Sequence, residues 1–97
     1  MNLYTIRRRG GWATPQEIQE TAGISARIGD TPGSGVRWIR SYVLGEEDGG
    51  LGTLCVYEAE SPEALRAHAE AVGMPADEIT PVADTVVVRP DPQTLAA

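Results

Sequence analysis

The spacing of apolar and polar positions along the chain switches between two periods, and the switches mark the elements. Residues 2–8, NLYTIRR, alternate and carry the β-formers Tyr4, Thr5 and Ile6, which predicts a first strand. GGWA breaks it. The stretch TPQEIQETAGISARIG that follows opens with a helix start signal. Thr14 is an N-cap, Pro15 takes the first helical position and Glu17 completes a capping box. Gly23 costs this helix about 1 kcal/mol relative to alanine. Gly29 is placed to end it, and DTPGSG reads as a loop.

Residues 36–44, VRWIRSYVL, are rich in β-branched and aromatic residues and predict a second strand. GEEDGG then reads as a turn and LGTLCVYEA as a third strand, so the pair is a hairpin. Ser61, Pro62 and Glu63 start a second helix, which Gly73 closes and Pro75 follows. EITPV predicts a fourth strand, with DTVVV as its continuation or as an added edge strand. The order β-α-β-β-α-β is that of an α+β, ferredoxin-like domain over residues 1–89, two helices covering one face of a four-stranded antiparallel sheet. Residues 90–97, PDPQTLAA, read with the preceding Arg89 as a loose tail.

Strand parity raises a second expectation. Val36, Trp38, Arg40, Tyr42 and Leu44 form one set, and Arg37, Ile39, Ser41 and Val43 the other. In the third strand Leu54, Val56 and Glu58 oppose Thr53, Cys55, Tyr57 and Ala59. Neither strand has a cleanly polar side, whereas a strand wetted on one face alternates clearly. The uncovered face therefore calls for a partner, most simply a second copy of the chain in a two-fold homodimer. A one-residue slip in the hairpin would exchange the faces, so parity does not say which set meets the helices.

Charge and composition narrow the chemistry. A formal charge of −6 argues against a nucleic-acid partner. All eight basic residues are arginine, which removes Schiff-base and lysine-base mechanisms. One histidine and one cysteine do not build the His/Cys sets of zinc domains, and one cysteine makes no internal disulfide. No run approaches the roughly 20 apolar residues of a membrane span, and MNLYTIRRRGGW does not read as a secretion signal, so the expected location is the cytoplasm. TPGSGV lacks P-loop spacing, and GEEDGG lacks the carboxylate alternation of a calcium loop. Arg7, Arg8 and Arg9 read either as an anion holder or, preferably, as the solvated end of the first strand.

His68 is the candidate that chemistry singles out. Leu65, His68, Ala69 and Val72 share one helical face, so the ring turns toward the sheet, where it needs partners for its N–H and its lone pair. Tyr42, Tyr57, Glu58, Arg40, Ser41 and Cys55 are within the expected strands beneath, and Thr21 and Ser25 share the inward arc of the first helix with Ile18 and Ile28. Several readings stand together. His68 is a satisfied core histidine, a proton carrier beside a small-molecule pocket, or a metal ligand. In the pocket reading Glu58 orients His68, Tyr42 and Tyr57 are hydrogen-bonding walls, Arg40 is a charge partner and Trp38 lines the space.

The segments WIRSYV and LCVYEAESPEALRAHAEAVGMPADEI also resemble a family of small bacterial proteins of uncharacterised function. The likeness runs from about Trp38 to Val82, and its most specific pieces are Arg40-Ser41-Tyr42, Cys55 to Ala59, His68-Ala69 and Gly73-Met74-Pro75. The best-known representative of that family is a nickel-binding, nickel-responsive protein, so the resemblance implies a dimer of ferredoxin-like sheets and a bound transition metal such as nickel, with His68 in the matching segment. The same dimeric α+β barrel plan also resembles that of cofactor-independent monooxygenases, isomerases and cyclases. The expected function is accordingly a homodimer binding a small molecule or metal near His68. The alternatives are a cofactor-free enzyme using the same residues, and a structural or interaction domain without a site.

Overall fold

A computed structural model of the protein describes residues 1–76 and 78–92. The elements are β1 (Asn2–Trp12), α1 (Pro15–Gly29), β2 (Val36–Gly45), β3 (Leu51–Ala59), α2 (Pro62–Val72) and β4 (Glu78–Pro81). The strands form one antiparallel sheet in the order β2-β3-β1-β4, the ferredoxin-like arrangement expected from the element order.

Both helices start where their side chains can satisfy free backbone N–H groups. Thr14 Oγ1 accepts from the Glu17 N–H at 3.3 Å, and the Glu17 carboxylate accepts in return from Ala13 N–H at 2.8 Å. Ser61 Oγ accepts from Ala64 N–H at 3.1 Å at the head of α2. The two ends differ. Gly73 has φ 89°, the left-handed cap that stops α2 and turns Met74 and Pro75 back toward the sheet. Gly29 has no positive φ, and its role is a close approach: a Cβ there would lie 3.3 Å from His68 Nε2.

The core lies between the helices and one sheet face. Tyr4 and Ile6 of β1, Val36 of β2, and Cys55, Tyr57 and Ala59 of β3 pack with Leu65 of α2. Full burial of a side chain such as Ile6 or Leu65 stabilises the fold by about 1.5–3 kcal/mol.

The strands depart from expectation in three places. β1 runs on through Gly10 and Gly11 to Trp12, because an irregularity between Arg8 and Trp12 absorbs the glycines without ending the pairing with β3. In β2 the pairing passes from Trp38–Tyr57 to Arg40–Val56, so Ile39 is an extra residue, a β-bulge. The bulge reverses the parity of the rest of the strand. Trp38, Ser41 and Val43 therefore share the helix face, while Arg40 and Tyr42 turn to the other. Third, residues 84–88 form no strand: β4 ends at Pro81, and Val86, Val87 and Val88 are 85%, 76% and 78% exposed. Strand propensity there meets no ladder to satisfy its backbone groups.

Asp91, in the segment expected to be loose, accepts hydrogen bonds from Arg40 Nη1 at 2.8 Å and from the Tyr42 hydroxyl at 2.6 Å. Since β4 and β2 are opposite sheet edges, residues 82–92 carry the chain from one edge to the other. The remainder of the expected tail, 93–97, lies outside the described residues.

Candidate functional site

His68 takes the inward place its spacing dictates: with Leu65 and Ala69 it is one of the buried residues of α2. Its Nε2 lies 3.1 Å from the carbonyl oxygen of Ser25 on α1. A carbonyl only accepts, so Nε2 carries the proton. The ring also tilts against Tyr57, at 5.6 Å between centroids and 59° between planes. Tyr57 in turn stacks on Trp38 at 6.4 Å and shares a hydrogen bond of 3.2 Å with Ser25 Oγ. Burial pushes the Tyr57 phenol above its usual pKa, with the Ser25 bond opposing, so it stays protonated near neutral pH. Of the six residues expected at the site, His68, Tyr57 and Trp38 come together.

Glu58, Tyr42 and Arg40 do not join them. Glu58 alternates with Tyr57 on β3 and faces away from the helices, where it meets Arg37 at 3.8 Å. The bulge at Ile39 sends Arg40 and Tyr42 to that same face, where they hold Asp91. A pair of parity sets drawn through an unbulged β2 places Trp38 with Tyr42. The actual ladder places Trp38 with Ser41, and the indole Nε1–H donates to Ser41 Oγ at 2.8 Å.

A space partly open to solvent does lie between the helices and the sheet, but it does not reach the imidazole. A cavity of about 40 Å³ sits under α1, roofed by Ile18, Thr21, Ala22 and Ser25. Its floor is Arg8, Trp38, Ser41, Val43, Thr53, Cys55 and Tyr57, and Trp12 and Met74 complete the wall. His68 instead borders a solvent-open groove with Ile28, Thr31, Pro32 and Ser34. Trp12 is fastened across the cavity by its Nε1–H, which donates to Thr21 Oγ1 at 3.2 Å.

The arginine run divides into three fates. Arg7 pairs with Glu46 at 2.8 Å and Arg9 with Glu78 at 2.9 Å. Arg8, between them, is 3% exposed. Its Nε–H donates to the Pro75 carbonyl at 2.7 Å, and its Nη1 contacts Cys55 Sγ at 3.4 Å. The reading of all three as a solvated strand end therefore fails at Arg8. The signal was alternation: Tyr4, Ile6 and Arg8 occupy one face of β1. The surface this wall presents is thus almost wholly apolar and aromatic, with the polar atoms of Arg8 and Thr53 buried behind it. Its phenol is protonated and the imidazole is turned away, so what it can do chemically is bind rather than exchange protons through His68.

Comparison with known proteins agrees with this fold. A family model described as nickel responsive protein SCO4226-like matches residues 4–82. The chain belongs to the SCO4226-like family. The crystal structure of SCO4226 from Streptomyces coelicolor A3(2) superposes with a TM-score of 0.70 at 20% identity, covering 87% of this chain and 99% of that one. A search of curated proteins finds no match.

The family's name makes nickel the first ligand to test against the residues of this SCO4226-like chain. Among the described residues, no three His, Cys, Asp or Glu side chains gather as a metal shell. The only imidazole already spends Nε2 on a backbone carbonyl. The expected metal role of His68 thus lacks a donor set among the described residues of one chain, since a site of this kind needs several N, O or S ligands. No helix among the described residues is long and apolar enough to cross a membrane.

Proposed function

We propose that this SCO4226-like protein is a small-molecule-binding protein whose ligand seats between α1 and the sheet, in the cavity beside Trp38 and Tyr57. The observation that carries this reading is the cavity itself: about 40 Å³, walled by both tryptophans of the chain and roofed by a helix that buries little else. A partly open, apolar space of this kind leaves hydrocarbon and aromatic surface in water, which a ligand would cover. Its size restricts the occupant, since each water needs roughly 10–15 Å³ of such volume and benzene has been accommodated by a cavity of about 150 Å³. About three water-sized positions fit as the walls stand, so a molecule as large as propionate enters only with a shift of a wall residue such as Trp12. Nickel in this reading requires donors from a second copy.

Because Trp12 and Trp38 are the only tryptophans, indole emission reports occupancy directly. Short acids and amides (propionate, propionamide) should shift that emission saturably. Ala22→Leu, which fills the space from α1, should abolish the shift. A native protein that responds no differently from Ala22→Leu to either probe would overturn the reading.

The functional unit in this proposal is a homodimer. The exposed strip Val86–Val88 and the apolar Leu54 and Val56 on the helix-free face are what a second copy would cover. Light scattering should give twice the chain mass at micromolar concentration. Replacing Val86, Val87 and Val88 together by serine should shift the protein toward monomer, and a native monomer would remove this part of the proposal.

A further inference from the structure

The walls of the cavity are not equally held. Trp38 stacks on Tyr57 at 6.4 Å and donates its Nε1–H to Ser41 Oγ at 2.8 Å, so its ring is fixed on two sides. Trp12 is the last residue of β1, beyond the register irregularity that follows Arg8, and it is only half-buried. Gly10, at φ 60°, and Gly11 precede it, and a Cβ on either would meet nothing within 4 Å. What pins Trp12 in the ladder is its backbone opposite Leu51. The indole can turn about its own side-chain bonds without breaking that pairing. The ring itself is tethered by the 3.2 Å bond from Nε1–H to Thr21 Oγ1. A bond between neutral groups is weak enough that a ligand making the same bond can replace it.

The acceptor beneath that tether has a fixed polarity. Thr21 donates its own O–H to the Glu17 carbonyl one turn back in α1, at 3.1 Å, so toward the cavity Oγ1 only accepts. The rest of the surface is nearly all hydrocarbon and aromatic, from Ile18, Ala22, Trp38, Val43 and Met74. Any charged group of a ligand must therefore stay at the solvent-open mouth, and only an uncharged part enters. We infer that the ligand of this pocket is a flat, uncharged aromatic molecule with one ring N–H donor, of the indole class, which takes the seat and the hydrogen bond of the Trp12 side chain. The inference rests on the pocket reading above and names what the pocket recognises. As the walls stand, about 40 Å³ does not admit a ring, and turning Trp12 outward frees a slot of an indole's own shape. The exchange conserves hydrogen bonds: the Trp12 N–H passes to water and the ligand's N–H to Thr21. A ligand seated deeper than the half-buried Trp12 covers more apolar surface than the turned-out ring exposes. An acceptor at the same ring position sets oxygen against oxygen and gains nothing from Thr21.

The test titrates the full chain with indole and with benzofuran, its isostere lacking the N–H, by calorimetry and thermal shift. The native protein should bind indole about 5-fold more tightly, the ratio expected of one neutral hydrogen bond. In nitrogen-15-labelled protein, saturating unlabelled indole should shift the Nε1–H signal of Trp12 and speed its exchange with water. The signal of Trp38, held by Ser41, should stay protected. Thr21→Val keeps the shape, removes the acceptor and should bring the two ligands to equal affinity. Trp12→Ala empties the seat and should strengthen binding of both severalfold, because no side chain then competes for it. If that variant fails to fold, Thr21→Val and the labelled native protein still decide the matter. Indole binding by Trp12→Ala with none by the native protein would make Trp12 a fixed wall and overturn the inference. Equal native affinity for indole and benzofuran would overturn the donor assignment. A response to propionate without one to indole would overturn this inference and leave the pocket, whereas a response to no probe would overturn both.

Discussion

The two helices lie on the same sheet face and do different work. α2, over 11 residues, buries Leu65, His68 and Ala69, and Leu65 is fully enclosed. α1 is longer at 15 residues and buries only Ser25. Its inward arc of Ile18, Thr21, Ala22 and Ser25 stays half-buried, apart from Ser25, because what lies beneath it is the cavity rather than packed side chain. The contrast separates stability from binding within one layer. α2 is the helix that holds the sheet, and α1 is a roof, tied at Trp12–Thr21, at Ser25–Tyr57 and at Ser25–His68.

Truncating one apolar side chain under each helix puts this contrast to its hardest test. Leu65→Ala should lose about 2–5 kcal/mol in urea denaturation, the range for a fully buried leucine that leaves a hole behind. Ile18→Ala, at the cavity margin and only partly buried, should lose about 1 kcal/mol, the transfer free energy of a partly buried side chain. Equal losses from the two would mean that α1 packs as tightly as α2 and that the space beneath it closes in solution.

The same contrast explains what could be read in the residues. α2 was legible throughout, because Ser61, Pro62 and Gly73 are local signals whose geometry depends on nothing distant. The position of His68 on its inner face followed from spacing alone. A space between the helices and the sheet was legible, with Thr21, Ser25, Trp38 and Tyr57 around it, but which residues of β2 border it was not, because that depends on the bulge at Ile39, and a bulge belongs to the ladder between two strands rather than to either sequence. That one extra residue moved Tyr42 and Arg40 out of the site and Ser41 into it. Arg8 was half legible. Its charge argues for solvent and its alternation with Tyr4 and Ile6 argues for burial, and in a strand already pinned by Ile6 the alternation prevails. The valines at 86–88 show the converse error, for β propensity describes what fits a ladder and not whether a partner strand is there.

The smaller test concerns the place where the helices meet. His68 is rooted in α2 and donates its Nε2–H to α1, and a Cβ at Gly29 would crowd the ring at 3.3 Å from Nε2. On the division drawn here the imidazole is a strut between roof and wall, and Tyr57 stands between it and the ligand. His68→Leu should therefore cost about 1 kcal/mol, the net worth of one hydrogen bond with the volume roughly retained. The loss should appear first as faster amide exchange in α1, with the amides of α2 little changed. Propionate affinity should stay within about twofold, since no atom of His68 lines the cavity. The reverse pattern, lost propionate binding with unchanged stability and exchange, would place the imidazole in the binding site. α2 would then share the work assigned to α1, and the separation of the two helices would not survive.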